Sequence, residues 1–204
     1  MNDTLDQKHK QILASKHWIF DMDGTLTLGV HDFDMMRREI GLAPDQDILK
    51  TVQAMPAEQA APLWAKIDEL ELYFASLAKP MPGAFELLEQ LQSRGVNLGI
   101  LTRNVMPATL HTLKTCHLDG FFAPEDILDR ASCEPKPNPA GINFLLDQWA
   151  AKASQSVMIG DYVFDLEAGK SAQVATVHID TSAQYAWPEM TDWGIDHLNQ
   201  LMQG

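Results

Sequence analysis

The most constraining feature of this chain is a set of short apolar runs, each of which stops at a hydroxyl or carboxylate residue. His17-Trp18-Ile19-Phe20 ends at Asp21, Asn97-Leu98-Gly99-Ile100-Leu101 at Thr102, Ser156-Val157-Met158-Ile159-Gly160 at Asp161, and residues 174–179 near Asp180. A weaker run, Asp126-Ile127-Leu128, adds a further strand candidate. Runs this short and this apolar are buried strands, and the stretches between them (83–94, 107–116, 139–151 and 163–172) read as helices. Strands alternating with helices predict an α/β fold, a parallel sheet covered on both faces.

The spacing breaks once. Asp21 and Thr102 are 81 positions apart, far more than one βα unit needs, and ordinary spacing returns afterwards. A segment is therefore inserted after the first strand. Gly24 to Gly29 on one side and Lys79-Pro80-Met81-Pro82-Gly83 on the other have the composition of hinges. Inside, Phe33, Met36 and Ile40 recur at helical spacing, and Ala60, Leu63, Trp64, Ile67, Leu70, Phe74 and Leu77 form a longer stripe. The chain divides into a core, residues 1–27 and 82–204, and a helical insert of about three helices, residues 28–81.

Composition excludes several classes. With 28 acidic against 15 basic residues, a net charge of −13, the chain lacks the basic face a nucleic-acid polymer requires. No run approaches the roughly 20 apolar residues of a membrane span. The polar stretch 1–18 is not a secretory signal pattern. Cys116 and Cys133 are too few for a disulfide framework and read as reduced thiols. A cytoplasmic protein with no membrane association is the expectation.

In a wound parallel sheet the ligand crevice lies beyond the carboxyl ends of the strands. Asp21, Asp23, Thr102, Asp161 and Asp165 converge there. Four carboxylates together repel one another, and an all-oxygen site of this kind suits Mg²⁺. Asp21-Met22-Asp23-Gly24-Thr25 supplies one carboxylate to attack and a second to move a proton, with Gly24 allowing a sharp turn. In Glu134-Pro135-Lys136-Pro137-Asn138-Pro139, flanking prolines restrict the backbone around Lys136, just ahead of a helix start capped by Asn138. Thr102-Arg103-Asn104 precedes a helix opened by Pro107, an anion cradle in waiting. Each segment alone also fits a blander reading: an Asx turn, a solvated loop lysine, a strand-to-helix turn or a capped helix with a surface aspartate.

Taken in order, the quartet resembles the haloacid-dehalogenase-like hydrolase superfamily, in its phosphoglycolate-phosphatase-like branch. The residues that carry the likeness are Asp21-Met22-Asp23-Gly24-Thr25-Leu26-Thr27, Thr102 after an apolar strand, Lys136 before a Pro-started helix, and Gly160-Asp161 with Asp165. The resemblance implies a Rossmann-like core with a helical cap, here about 54 residues and shorter than the caps of such relatives. It implies Asp21 as phosphoryl-accepting nucleophile and Asp23 as general acid and base. It also implies Thr102, Arg103, Asn104 and Lys136 around the phosphoryl group, and Mg²⁺ at Asp21, Asp23 (through its carbonyl), Asp161 and Asp165. The expected activity is a Mg²⁺-dependent phosphatase acting on a small phosphorylated metabolite. Dehalogenases of this pattern lack an acid/base aspartate at the Asp23 position. Phosphonatases use a cap lysine, and Lys50, Lys66 and Lys79 stand in no such motif. A β-phosphoglucomutase-like phosphotransferase and a non-catalytic phosphate-binding regulatory module are the alternatives. His31, Arg37 and Arg38 lie where the insert can approach a substrate, His31 read as a hinge-loop residue and the arginines as a solvated helix face.

Overall fold

A computed structural model describes residues 2–202, the first five of these by backbone alone. After helix α1 (Asn2–Leu13), the core strands are β1 (His17–Phe20), β2 (Asn97–Leu101), β3 (Ile127–Leu128), β4 (Ser156–Gly160), β5 (Ala175–Ile179) and β6 (Trp193–Ile195). They form one sheet in the order β3-β2-β1-β4-β5-β6, and every pairing is parallel. The fold is the Rossmann-like α/β arrangement that the alternation of strands and helices predicts. β1 is central because its residues are apolar on both faces: Trp18, Ile19 and Phe20 are fully buried. Trp18 and Phe20 join one core cluster and Ile19 the other, so the two sheet faces are both packed.

The insert contains three helices, α2 (Phe33–Glu39), α3 (Ile48–Gln53) and α4 (Ala57–Leu77). It has an apolar cluster of its own, in which Met36, Ile40, Val52, Ile67, Leu70 and Phe74 are buried. Two residues of the expected apolar stripes depart from it. Phe33, the first residue of α2, is 53% exposed, and Leu77, the last of α4, is 46% exposed, because helix ends overhang the cluster that the middle turns cover. Asp32 and Asp47 cap α2 and α3, accepting from the amides of Met35 (2.7 Å) and Lys50 (2.8 Å).

The remaining helices are α5 (Ala84–Ser93), α6 (Met106–Thr115), α7 (Ala140–Gln148) and α8 (Val163–Ser171). α7 starts one residue later than its proline suggests, with Pro139 at the N-cap, and Asn138 Oδ1 accepts from the Ala140 amide at 2.9 Å. The acidic C-terminal segment, whose Trp187 and Trp193 have no assigned role in the sequence, supplies β6. Three residues suffice there because Val177, His178 and Ile179 of β5 offer an open parallel edge. Among the described residues no helix is long and apolar enough to cross a membrane, and both cysteines are free thiols.

Candidate active site

Strand register delivers the site. Phe20 pairs with Ile100 on one side and Ile159 on the other, so β2 and β4 each run one residue past β1 at the same end of the sheet. Asp21, Thr102 and Asp161 are the residues that follow, beside the point where strand order reverses. The backbone must also close up. Gly24 has φ +80°, and a Cβ there would lie 2.2 Å from Asp161 Oδ2, so only glycine lets the first loop reach the fourth strand. Gly160 plays the matching part, since a Cβ on it would lie 2.2 Å from Asp165 Cβ.

Asp21, Asp161 and Asp165 each place a carboxylate oxygen within 4.8 Å of the others. Lys136 is buried among them, its Nζ 2.5 Å from Asp21 Oδ1 and 2.6 Å from Asp165 Oδ1. Its flanking peptide to Pro137 is cis. Burial alone would lower the Lys136 pKa, but the charges of Asp165 and Asp21 outweigh it and hold the ammonium above its ordinary value. Burial raises Asp161, and the charges of Asp21 and Asp165 raise it further. Asp165 is raised by burial too, against the pull of Lys136. One ammonium thus faces three carboxylates, an uncompensated negative charge in an oxygen-only donor set. Such a set fits a hard divalent cation.

Asp23 stands beside this trio but outside it. Its Oδ2 accepts from Asn104 Nδ2 at 2.6 Å, and His31 Nδ1 lies 3.4 Å from its Oδ1. Burial raises the Asp23 carboxyl; His31 opposes the shift, Asp21 adds to it and Asn104 opposes it. His31 lies in the loop ahead of α2, as expected, but its side chain is turned inward. Its side chain is 4% exposed, stacks on Phe33 at a ring separation of 5.6 Å and meets the Phe74 ring at a tilt, 4.8 Å away.

The segment 102–104 departs most from its expected use. Thr102 is buried, and its Oγ1 accepts from the Asn104 amide at 3.2 Å. Arg103 turns away to the insert: its Nη2 lies 2.9 and 2.8 Å from the two oxygens of Asp47, and its guanidinium sits 4.8 Å from the centre of the Phe164 ring. The start of α6 is also occupied. The Val105 amide donates to Glu71 Oε2 at 2.8 Å and the Met106 amide to Asp129 Oδ2 at 2.9 Å, so the anions at this helix N-terminus are the protein's own. Burial pushes the Glu71 carboxyl up to about 7, with the Arg130 charge and the Val105 amide opposing. Arg130 closes the contact, pairing with both Glu71 and Asp68. Arg37 is tied down as well, with Nε 2.9 Å from the Gln46 carbonyl and Nη1 3.0 Å from Asp34. Sequence reading found neither the Asp47–Arg103 nor the Glu71–Arg130 contact. Their members are 56 and 59 positions apart, and no local spacing marks them.

Between the strand ends and the insert lies a cavity of about 450 Å³, to which the core contributes Asp21, Asp23, Lys136, Asp161 and Asp165 and the insert His31, Asp47 and Glu71. Known proteins resemble the chain along most of its length. An uncharacterized hydrolase of Saccharomyces cerevisiae is 28% identical over 195 residues, covering 91% of this chain and 88% of that protein. The pyrophosphatase PpaX of Listeria monocytogenes is 29% identical over 201 residues, covering 90% and 87%. A predicted phosphoglycolate phosphatase from Haemophilus somnus shares the fold, with a TM-score of 0.73 at 20% identity over 93% of this chain and 97% of that one. The family model for haloacid dehalogenase-like hydrolases matches residues 32–179, a span that includes the insert helices, Thr102, Lys136, Asp161 and Asp165 and begins after Asp23. On that match, the chain belongs to the haloacid dehalogenase-like hydrolase family.

Proposed function

We propose that this protein is a Mg²⁺-dependent phosphatase of small phosphorylated metabolites that works through an aspartyl-phosphate on Asp21. The observation that carries the reading is Lys136 Nζ held between Asp21 and Asp165 with Asp161 alongside, a charge arrangement that matches a phosphoryl group and a divalent cation together. Asp21, Asp161, Asp165 and the carbonyl of Asp23 would hold Mg²⁺, which when bound neutralises the carboxylates and the phosphoryl oxygens. Residues 28–81 act as a cap over the site, and the protein works in the cytoplasm.

The Asp21 carboxylate oxygen forms a bond to phosphorus while the ester oxygen departs. Asp23, whose carboxyl burial holds above its ordinary value, acts as the general acid that gives a proton to the departing oxygen. The same carboxylate then accepts a proton from water as the water oxygen attacks phosphorus, releasing inorganic phosphate and regenerating Asp21. Lys136 and Thr102 hold the phosphoryl oxygens, and positioning with charge neutralisation carries most of the acceleration. Asn104 contributes through Asp23, whose carboxyl it orients.

The test is phosphate release from a panel of phosphorylated metabolites, with Mg²⁺ and with EDTA. Release that EDTA abolishes is expected, and Asp21→Asn should lose it while keeping the fold. No release from any compound, or release indifferent to EDTA, overturns the reading.

A further inference from the structure

The two sides of the cavity differ in charge. Apart from Lys136, the arginines that line it are Arg37 and Arg103. Both are committed: Arg103 to the two oxygens of Asp47, Arg37 to Asp34 and the Gln46 carbonyl. The acidic lining residue Glu71 is likewise matched, by Arg130 and the Val105 amide. The rest of the wall facing the strand ends is apolar, with Phe33, Met36, Ile48, Leu49 and Ile67 from the insert and Phe164 from the core. A second anionic group placed here would meet only guanidiniums that already carry a carboxylate, and would face Asp47 and Glu71. Among the lining residues, Arg103 Nε and His31 Nε2 are buried without a hydrogen-bond partner, while His31 Nδ1 has only the Asp23 carboxylate at 3.4 Å. A neutral hydroxyl or ether oxygen satisfies such atoms without adding charge.

We propose that the insert side of this cavity selects phosphate esters whose leaving group is uncharged and largely apolar, and discriminates against leaving groups that carry a second anion. This rests on the phosphatase reading above and deepens it. The discrimination has a physical source: an anion would have to share Arg103 with Asp47 and sit close to its like charge, whereas an apolar group buries against Phe33, Ile48 and Leu49 at no electrostatic cost.

Three esters with alcohol leaving groups separate the terms: benzyl phosphate (apolar), glycerol 3-phosphate (neutral and polar) and phosphoglycolate (carboxylate-bearing). Measured with Mg²⁺, kcat/KM should fall in that order, with benzyl phosphate about tenfold or more above phosphoglycolate. Asp47→Asn keeps the α3 cap and removes the charge that occupies Arg103, and should shift the phosphoglycolate-to-benzyl ratio about tenfold towards phosphoglycolate. Phe33→Ala, at an exposed position, should lower the benzyl-to-glycerol ratio. A preference for phosphoglycolate in the unsubstituted protein, or a ratio that Asp47→Asn leaves in place, overturns the specificity inference while phosphatase activity stands. Phosphate release from the metabolite panel with none from these three esters overturns the specificity inference alone, and no release from either set overturns both.

Discussion

The floor and the roof of the cavity hold their charges in opposite ways. On the floor, Asp21, Asp161 and Asp165 crowd around one lysine, and the negative charge stays in excess. On the roof, Asp47 pairs with Arg103, and Glu71 and Asp68 share Arg130, so each carboxylate has a guanidinium beside it. A site that must recruit a cation and an anion benefits from unbalanced charge held by rigid strand ends. A surface that only shapes the space beside it is most stable with its charges matched. The proposed function places reactivity on the core side of the cavity and the proposed selectivity on the insert side.

Four measurements can break or sharpen that contrast. Asp23→Asn, on the floor, should lower kcat by about 10²–10⁴ through loss of proton transfer. Its melting temperature should not fall, because a costly buried carboxyl is gone; a large loss of stability would mean that Asp23 is structural. Glu71→Ala, on the roof, removes one of the two carboxylates on the largely buried Arg130 guanidinium and the acceptor of the Val105 amide. It should lower unfolding free energy by about 3 kcal/mol in urea titrations. Glu71→Gln should recover part of this, since the amide oxygen can still accept from Val105; equal losses would place the effect elsewhere. Arg103→Ala breaks a half-exposed pair and should cost only about 1 kcal/mol, read as a small shift of the urea midpoint.

The smallest effect lies away from both surfaces. Hydrogen bonds from the Ser182 hydroxyl and from the amides of Tyr185, Ser182 and Gln184 hold the Asp180 carboxyl down to about 2, against mild burial. A depressed carboxyl contributes stability fully above its unfolded value and loses it as pH falls through the folded one. The gap in stability between the unsubstituted protein and Asp180→Ala should therefore be present at pH 6 and shrink between about pH 4 and pH 2. Its size should stay below about 1 kcal/mol because the group is solvent-screened. A gap that grows on acidification would contradict the assignment.

Much of the floor was legible before any coordinates. Apolar runs ending at Asp21, Thr102 and Asp161 announce parallel strands, and parallel register places their next residues side by side. The 81-position gap announces the insert, and the stripe along α4 its apolar face. The roof was not legible. Asp47 reads as a helix cap, which it is, and nothing local says that its oxygens also meet Arg103. Thr102-Arg103-Asn104 reads as an open anion cradle, yet Asn104 goes to Asp23, Arg103 to Asp47 and the helix amides to Glu71 and Asp129. β6 escaped notice because a three-residue edge strand owes its existence to the neighbour it pairs with.

What the sequence determined by itself is the order of elements and the level at which the carboxylates emerge, because hydrophobic periodicity and strand geometry act over a few residues. Which charges find partners was decided only by the tertiary structure. Ion pairs between segments 56 and 59 positions apart depend on how the insert docks on the core, and docking is set by packing of whole helices rather than by any short motif.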